Sequence, residues 1–226
     1  MSAKVPQNSL NIWRITDGKP GHEKQTLGLA NALLRQRDGE LHFLSASPAR
    51  HAISWWLAGR YPPGDSLPRP DLILAAGHAT HFSLLAARRA HGGKAIVLMR
   101  PSLPYGLFDL CLVPAHDNPP RRDNVLQTCG AITPLQNLGP HHPETGLILI
   151  GGPSSHFQWD AAALQAQVIA LAAQTPQIAW TLTTSRRTPA SFLQELTPPG
   201  NITVAPVATT PPGWLEDRLE LSRQVW

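Results

Sequence analysis

Cysteine is scarce in this chain. Cys111 and Cys129 are the two thiols in 226 residues, with no CxxC spacing and no secretory context around them. That argues against a disulfide framework and makes buried free thiols the expected state. Charge is scarce as well, at 15% of residues, and the net +4 from 19 basic and 15 acidic side chains is too weak a bias to argue for nucleic acid. It is compatible with an anionic substrate or a membrane surface. No run approaches the ~18 uninterrupted apolar residues of a membrane span. The polar stretch from Met1 to Ser9 lacks the apolar core of a signal peptide. These absences point to a cytoplasmic protein, at most peripheral to the inner membrane. There is also no GxGxxG turn and no GKS or GKT loop, which disfavours the common dinucleotide and triphosphate sites. Ten histidines are present, yet His78 and His81 have no cysteine or carboxylate at a matching interval, so no metal site is expected.

What is present alternates between strand-like and helix-like patterns. Residues 12–16 read as a short buried strand, and residues 17–25 hold two glycines and a proline and must turn sharply. Leu27, Ala30, Leu33 and Leu34 then recur at helical spacing. Residues 71–76 form a continuous apolar run of the kind buried on both faces of a parallel sheet, followed by Gly77 to His81 and a helix. Further strands are expected at 41–44, 94–99, 110–113 and 124–128. Residues 133–145, rich in proline, glycine, asparagine and histidine, read as a linker, after which the pattern restarts. Strands at 146–150, 178–184 and 201–204 alternate with helices, and another strand starts near Val225. The expectation is an α/β fold of two Rossmann-like parallel-sheet domains, 1–132 and 146–226, the second cut short.

The polar clusters fall where strands end, which is where open parallel sheets bind ligands. A glycine turn between strand and helix aims free N–H groups at an anion, or else simply allows the bend. His22 and Asp17, five residues apart on the first turn, suit a general base and its orienting carboxylate; structural satisfaction of the loop by Asp17 accounts for the pair equally well. Gly151, Gly152, Ser154 and Ser155 form a second glycine turn. Arg186 and Arg187, beside Thr188, match a diphosphate with their guanidinium forks, or lie on a solvated loop. Trp55 and Trp56 are either core packing or a membrane- or lipid-contacting surface.

Several motifs together carry a resemblance: Asp17-Gly-Lys-Pro-Gly-His-Glu-Lys-Gln25, Ala75-Ala-Gly-His-Ala-Thr-His81, Val97-Leu-Met-Arg-Pro-Ser102, Phe108-Asp-Leu-Cys111, Pro114-Ala-His-Asp117, Gly151-Gly-Pro-Ser-Ser-His156 and Thr184-Ser-Arg-Arg-Thr-Pro189. Over essentially its whole length the chain resembles the bacterial branch of the mitochondrial-fission "elongated mitochondria" family, whose bacterial members are also labelled predicted nucleoside-diphosphate-sugar epimerases. The epimerase label fits badly, because Tyr61 and Tyr105 have no lysine three or four residues on. The resemblance implies a GT-B fold, with the acceptor on the first domain and a nucleotide-diphosphate sugar on the second. It implies a metal-independent glycosyl transfer, needing no cofactor beyond the nucleotide sugar; Trp55, Trp56 and the basic balance point to an envelope saccharide or lipid acceptor. On that reading His22 and Asp17 are catalytic, and Gly151, Gly152, Ser154, Ser155, Arg186, Arg187 and Thr188 hold the donor phosphates. Gly18, Lys19, Gly21, Gly77, His78, His81, Arg100 and Ser102 form the acceptor side. Family members continue past the position of Trp226 into units that contact the nucleotide in GT-B enzymes. The alternative is a non-catalytic nucleotide- or partner-binding adaptor related to the fission factor.

Overall fold

Alternate residues of the first strand, β1 (Leu10–Thr16), serve two different cores. Leu10 and Ile12 cluster with Leu74, Ile96 and Leu112, whereas Trp13 and Ile15 cluster with Ile73, Val97 and Val113. Successive strand side chains point to opposite faces, so a sheet whose strands feed both clusters is covered on both sides. That is why these strands are written as nearly unbroken apolar runs. The computed structural model describes residues 9–136, 141–154 and 158–226, and the chain divides into two units, Met1–Pro134 and Leu135–Trp226.

In the first unit β1, β2 (Gly39–Ser45), β3 (Leu72–Ala76), β4 (Lys94–Leu98), β5 (Leu110–Pro114) and β6 (Val125–Thr128) form a six-stranded sheet in the order β2-β1-β3-β4-β5-β6. Every pairing is parallel. Helix α1 (Pro20–Gln36) covers one face through Leu29, Ala30 and Leu33, while α2 (Ala49–Ala58) and α3 (His81–His91) cover the other. The chain steps one way from β1 to β2 and returns past β1 to β3. The carboxyl ends of β1 and β3 therefore flank the switch point, where a crevice opens.

The second unit holds β7 (His142–Ile150), α4 (Ala161–Gln174), β8 (Ala179–Thr184), α5 (Ala190–Glu195), β9 (Ile202–Val204), α6 (Trp214–Leu221) and β10 (Ser222–Val225). Its sheet is also wholly parallel, in the order β10-β7-β8-β9, which puts the switch between β7 and β10. Ile148, Val168, Trp180, Leu182 and Phe192 make its core. Gly146 lies flat against the Trp180 ring, where a Cβ would collide with the indole, and Trp180 Nε1 donates to Thr175 Oγ1 at 2.9 Å.

Three sequence expectations change: the start of α1, the linker boundary and the burial of Cys129. Helix α1 begins at Pro20, not after Gln25, because proline at the first helical position is pre-set for a helix and Gly18 (φ 76°) makes the turn alone. Residues 142–145, read as linker, already belong to β7. The strand expected near Val225 is present and paired, with Trp226 N–H donating to the Leu147 carbonyl at 2.9 Å and Leu149 N–H to the Trp226 carbonyl at 2.8 Å. Trp55 and Trp56 are half-buried against the core, 6.0 Å from the Tyr61 and Phe82 rings respectively, which agrees with the core-packing alternative. Cys111 is buried and its thiol is pushed up to about 11 by burial, but Cys129 is exposed. Among the described residues no helix is long and apolar enough to cross a membrane.

Candidate functional site

The turn after β1 aims Asp17 at the helix that follows. Its carboxylate lies 3.1 Å (Oδ1) and 2.9 Å (Oδ2) from His22 Nδ1, and its Oδ1 also accepts the Lys19 N–H at 3.2 Å. The Asp17 side chain is only 4% exposed and that of His22 18%, so the pair is held largely out of water. With Nδ1 engaged by the carboxylate, Nε2 is the nitrogen left to take or give a proton. Across the switch point, Gly77 at the end of β3 closes over the pair. A Cβ on Gly77 would strike the His22 ring and lie 3.2 Å from Asp17 Oδ2, and its φ of 83° already favours glycine.

This geometry takes up part of the anion cradle expected at the first turn. Pro20 has no N–H, the Lys19 N–H is given to Asp17, and the His22 and Glu23 N–H groups both go to the Lys19 carbonyl at 3.0 Å. The anion at the start of α1 is Asp17 itself, which suits the positive end of the helix. Lys19 Nζ adds a loose pairing at 3.9 Å and its side chain stays exposed. Gly21 is exposed, with open space where a Cβ would stand.

A cavity of about 890 Å³ lies within the first unit at the carboxyl ends of β1 to β4. Its polar lining includes Asp17, Glu23, Ser45, Ser47, His78 and Ser102, and Phe82 with Ala46, Pro48 and Ala79 forms an apolar wall. Gly18 lines it too. His22, Gly77, Lys19 and Arg100 do not, and Arg100 is exposed on the loop after Met99 (φ 71°). His81 is 1% exposed and sits behind the wall, its Nδ1 3.2 Å from Ser102 Oγ and its ring edge-on to Phe108. Burial, with the nearby His78, lowers its pKa to about 4, so it is neutral near pH 7. His81 does not line the cavity, whereas Ser102 beside its Nδ1 does.

In the second unit the glycine turn and the arginine loop do come together. Thr188 Oγ1 bonds the Ile150 carbonyl at 3.1 Å and the Gly151 carbonyl, and accepts the Ser185 N–H at 2.9 Å. Gly152 passes so close to the backbone of Arg187 that a Cβ there would collide with it. Thr188 is thus a fastener whose hydroxyl is already committed. Arg186 and Arg187 project into solvent. Helix α4 starts only at Ala161, and Asp160 caps it by accepting the Ala163 N–H at 2.9 Å, so its end is already occupied by a carboxylate. Ser154 is partly buried, and Ser155 lies outside the described residues.

Sequence reasoning missed Glu23, Ser45, Ser47 and Phe82 as cavity residues. It also missed Arg14, which is 5% exposed and donates to Thr26 Oγ1 at 2.7 Å and to the Glu23 carbonyl at 2.9 Å. An arginine inside an apolar strand is the signal that marked it. Among the described residues no group of three His, Cys, Asp or Glu side chains converges on a metal position.

The co-structure of S. aureus MnaA with UDP aligns with 96% of this chain and 73% of that one, with a TM-score of 0.53 at 12% identity. A UDP-GlcNAc 2-epimerase from Neisseria meningitidis bound to UDP-GlcNAc aligns with 96% of this chain and 77% of its own, with a TM-score of 0.46 at 13% identity. The first likeness establishes the fold, two Rossmann-like units of GT-B type. Uncharacterized protein RP120 of Rickettsia prowazekii (strain Madrid E) is 30% identical over 122 residues, which are 48% of this chain and 32% of the relative. This chain therefore spans about a third of the length of that curated relative. The model of the family described as Mitochondrial fission ELM1 matches residues 20–226, nearly the whole sequence, and the chain belongs to that family.

Proposed function

We propose that this protein transfers a sugar from a nucleotide-diphosphate donor to an acceptor hydroxyl, with His22 as the base and Asp17 as its orienting carboxylate. The observation that carries the reading is the two-oxygen grip of Asp17 on His22 Nδ1, at 3.1 and 2.9 Å, beside the switch point of a doubly wound sheet. A grip of that kind fixes the tautomer and steadies the imidazolium that forms when Nε2 takes a proton.

In the reaction Nε2 removes the acceptor proton as the acceptor oxygen attacks the anomeric carbon. The bond from that carbon to the diphosphate oxygen breaks, and the leaving group departs with the electron pair. Arg186 and Arg187, exposed beside the glycine turn, are the cations suited to receive it, because guanidinium forks match phosphate oxygens. The proton held on His22 then passes to solvent. A UDP-sugar is the first donor to try, since the S. aureus structure of this fold contains UDP.

The test is product formation from UDP-sugars and a neutral saccharide acceptor, followed by mass spectrometry. His22→Ala should lose at least ~100-fold in turnover, the usual contribution of a positioned base, while nucleotide affinity stays within a few-fold. Equal turnover in the variant overturns the role of His22. Nucleotide binding without turnover in the unaltered protein leaves a non-catalytic adaptor on an inherited fold.

A further inference from the structure

Among the described residues the two sheets present four edges, and three of them are blunted. β6 has four residues and is preceded by Pro119, Pro120, Arg121 and Arg122. β9 has three and is followed by Pro206. β10 has four, carries Arg223, and shifts register between Ser222 and Gln224. Short strands, proline, basic side chains and bulges are the usual means of keeping an open edge from pairing with another chain.

β2 has none of these. It is seven residues long, every one in register with β1, and it contains no proline, lysine or arginine. Among the described residues nothing pairs with its outer side. The Leu10 N–H donates to the Asp38 carbonyl and the Ala46 N–H to the Thr16 carbonyl, both at 2.8 Å, so the even-numbered residues serve β1. The alternation of a parallel ladder then turns the N–H and C=O groups of Gly39, Leu41, Phe43 and Ser45 outward. Phe43, on this edge, is 62% exposed.

A strand of the same sequence, run antiparallel about a two-fold axis through Leu41, satisfies that edge. Leu41 then exchanges hydrogen bonds with Leu41 of the second copy, and Gly39 with Phe43. The phenyl ring falls across from the bare Gly39 backbone, a pairing in which an aromatic covers a glycine. On the other face Glu40 of one copy stands across from His42 of the other, carboxylate against imidazole. Within one chain these two groups approach only to 3.5 Å. Moving the axis to His42 would set imidazole on imidazole and Glu40 against the apolar Leu44, so the side chains select the register at Leu41.

We infer that this protein self-associates as a two-fold dimer through β2, the two strands pairing antiparallel about Leu41 so that one sheet runs across both copies. The pairing does not depend on the reaction proposed above.

Sedimentation velocity on the whole chain at rising concentration reads it. The mass should climb from 24.5 kDa toward twice that value. Leu41→Pro removes an outward N–H and leaves the β1 ladder whole. Phe43→Glu puts a charge on the edge, where the Arg14 guanidinium, 5.1 Å from the native ring, can receive it. Each should weaken the dimer at least ~10-fold, since a two-fold axis applies every change twice. Far-UV circular dichroism checks that both variants fold. Leu126→Glu, at a 56% exposed position on β6, should leave the dimer unaltered. His42→Glu should weaken it, and Glu40→Lys added to His42→Glu should restore it. A mass that stays at 24.5 kDa into the millimolar range overturns the inference. So does a dimer that either folded edge variant leaves intact, or one that Leu126→Glu removes equally. Failure of Glu40→Lys to restore the His42→Glu dimer overturns the register.

Discussion

The hydroxyl of Thr26 ties the buried guanidinium of Arg14 to the helical turn that carries His22. It accepts from Arg14 Nε at 2.7 Å and lies 3.1 Å from both the His22 and the Glu23 carbonyls. Burial lowers the Arg14 pKa, Glu23 opposes that, and the Phe43 ring lies 5.1 Å from the guanidinium carbon. Removing one partner leaves a buried donor unmet, a cost of about 1–3 kcal/mol. Thr26→Val should therefore destabilise by that amount in denaturant unfolding. The double variant Arg14→Met, Thr26→Val should cost clearly less than the two single changes added together. Simple additivity would mean the bond is incidental.

Two glycines with similar φ should behave differently. Gly18 and Gly77 have φ of 76° and 83°, but a Cβ at Gly18 meets open space whereas at Gly77 it meets the His22 ring. Gly18→Ala should cost about 1–2 kcal/mol, the penalty of the left-handed region alone. Gly77→Ala should cost more and shift the His22 ring resonances in a ¹H–¹⁵N spectrum. Equal costs with unmoved imidazole signals would contradict the packing described here.

His81 gives a pH dependence with a definite sign. Its pKa falls from the ordinary 6.5 to about 4 on folding, through burial first and His78 second. Above pH 6.5 neither state binds the proton, and the contribution of the neutral imidazole is fully present. Between about pH 6.5 and 4 the unfolded chain takes up a proton that the folded chain refuses, so stability falls as pH falls. The loss attributable to this residue is on the order of 3 kcal/mol. Unfolding free energies of the wild type and His81→Asn, compared at pH 7 and pH 4.5, should differ less at the lower pH. A gap that stays constant would put the slope elsewhere.

On the second unit, stability and binding should separate. Thr188→Val removes bonds to the Ile150 and Gly151 carbonyls and should lower stability by about 1–3 kcal/mol. Arg186→Ala, on an exposed side chain, should change stability by less than about 0.5 kcal/mol. A large stability loss in Arg186→Ala would show that the arginine is structural.

How much of this was legible depended on distance along the chain. β3, β4 and β5 could be read from the sequence because covering both faces of a parallel sheet demands unbroken apolar runs. β10 showed in the sequence only at its end, near Val225, since Ser222, Arg223 and Gln224 carry no apolar pattern. Asp17 and His22 could be paired because a single turn separates them. Gly77 over His22, and Ser45, Phe82 and Ser102 around one cavity, could not, because parallel pairing brings together residues tens of positions apart. Asp109 of the Phe-Asp-Leu-Cys motif proves to be an anchor: it accepts the Ala95 N–H at 2.9 Å and pairs with Arg88 Nε at 3.0 Å. Residue type alone does not distinguish such an anchor from a catalytic acid.

The most direct test of the central claim is saturation transfer from this chain to UDP-, GDP-, ADP- and CMP-sugars, with Arg186→Ala run in parallel. The account predicts transfer to one nucleotide class that is lost in the variant. Transfer to none of them, or a signal that Arg186→Ala leaves intact, would contradict it.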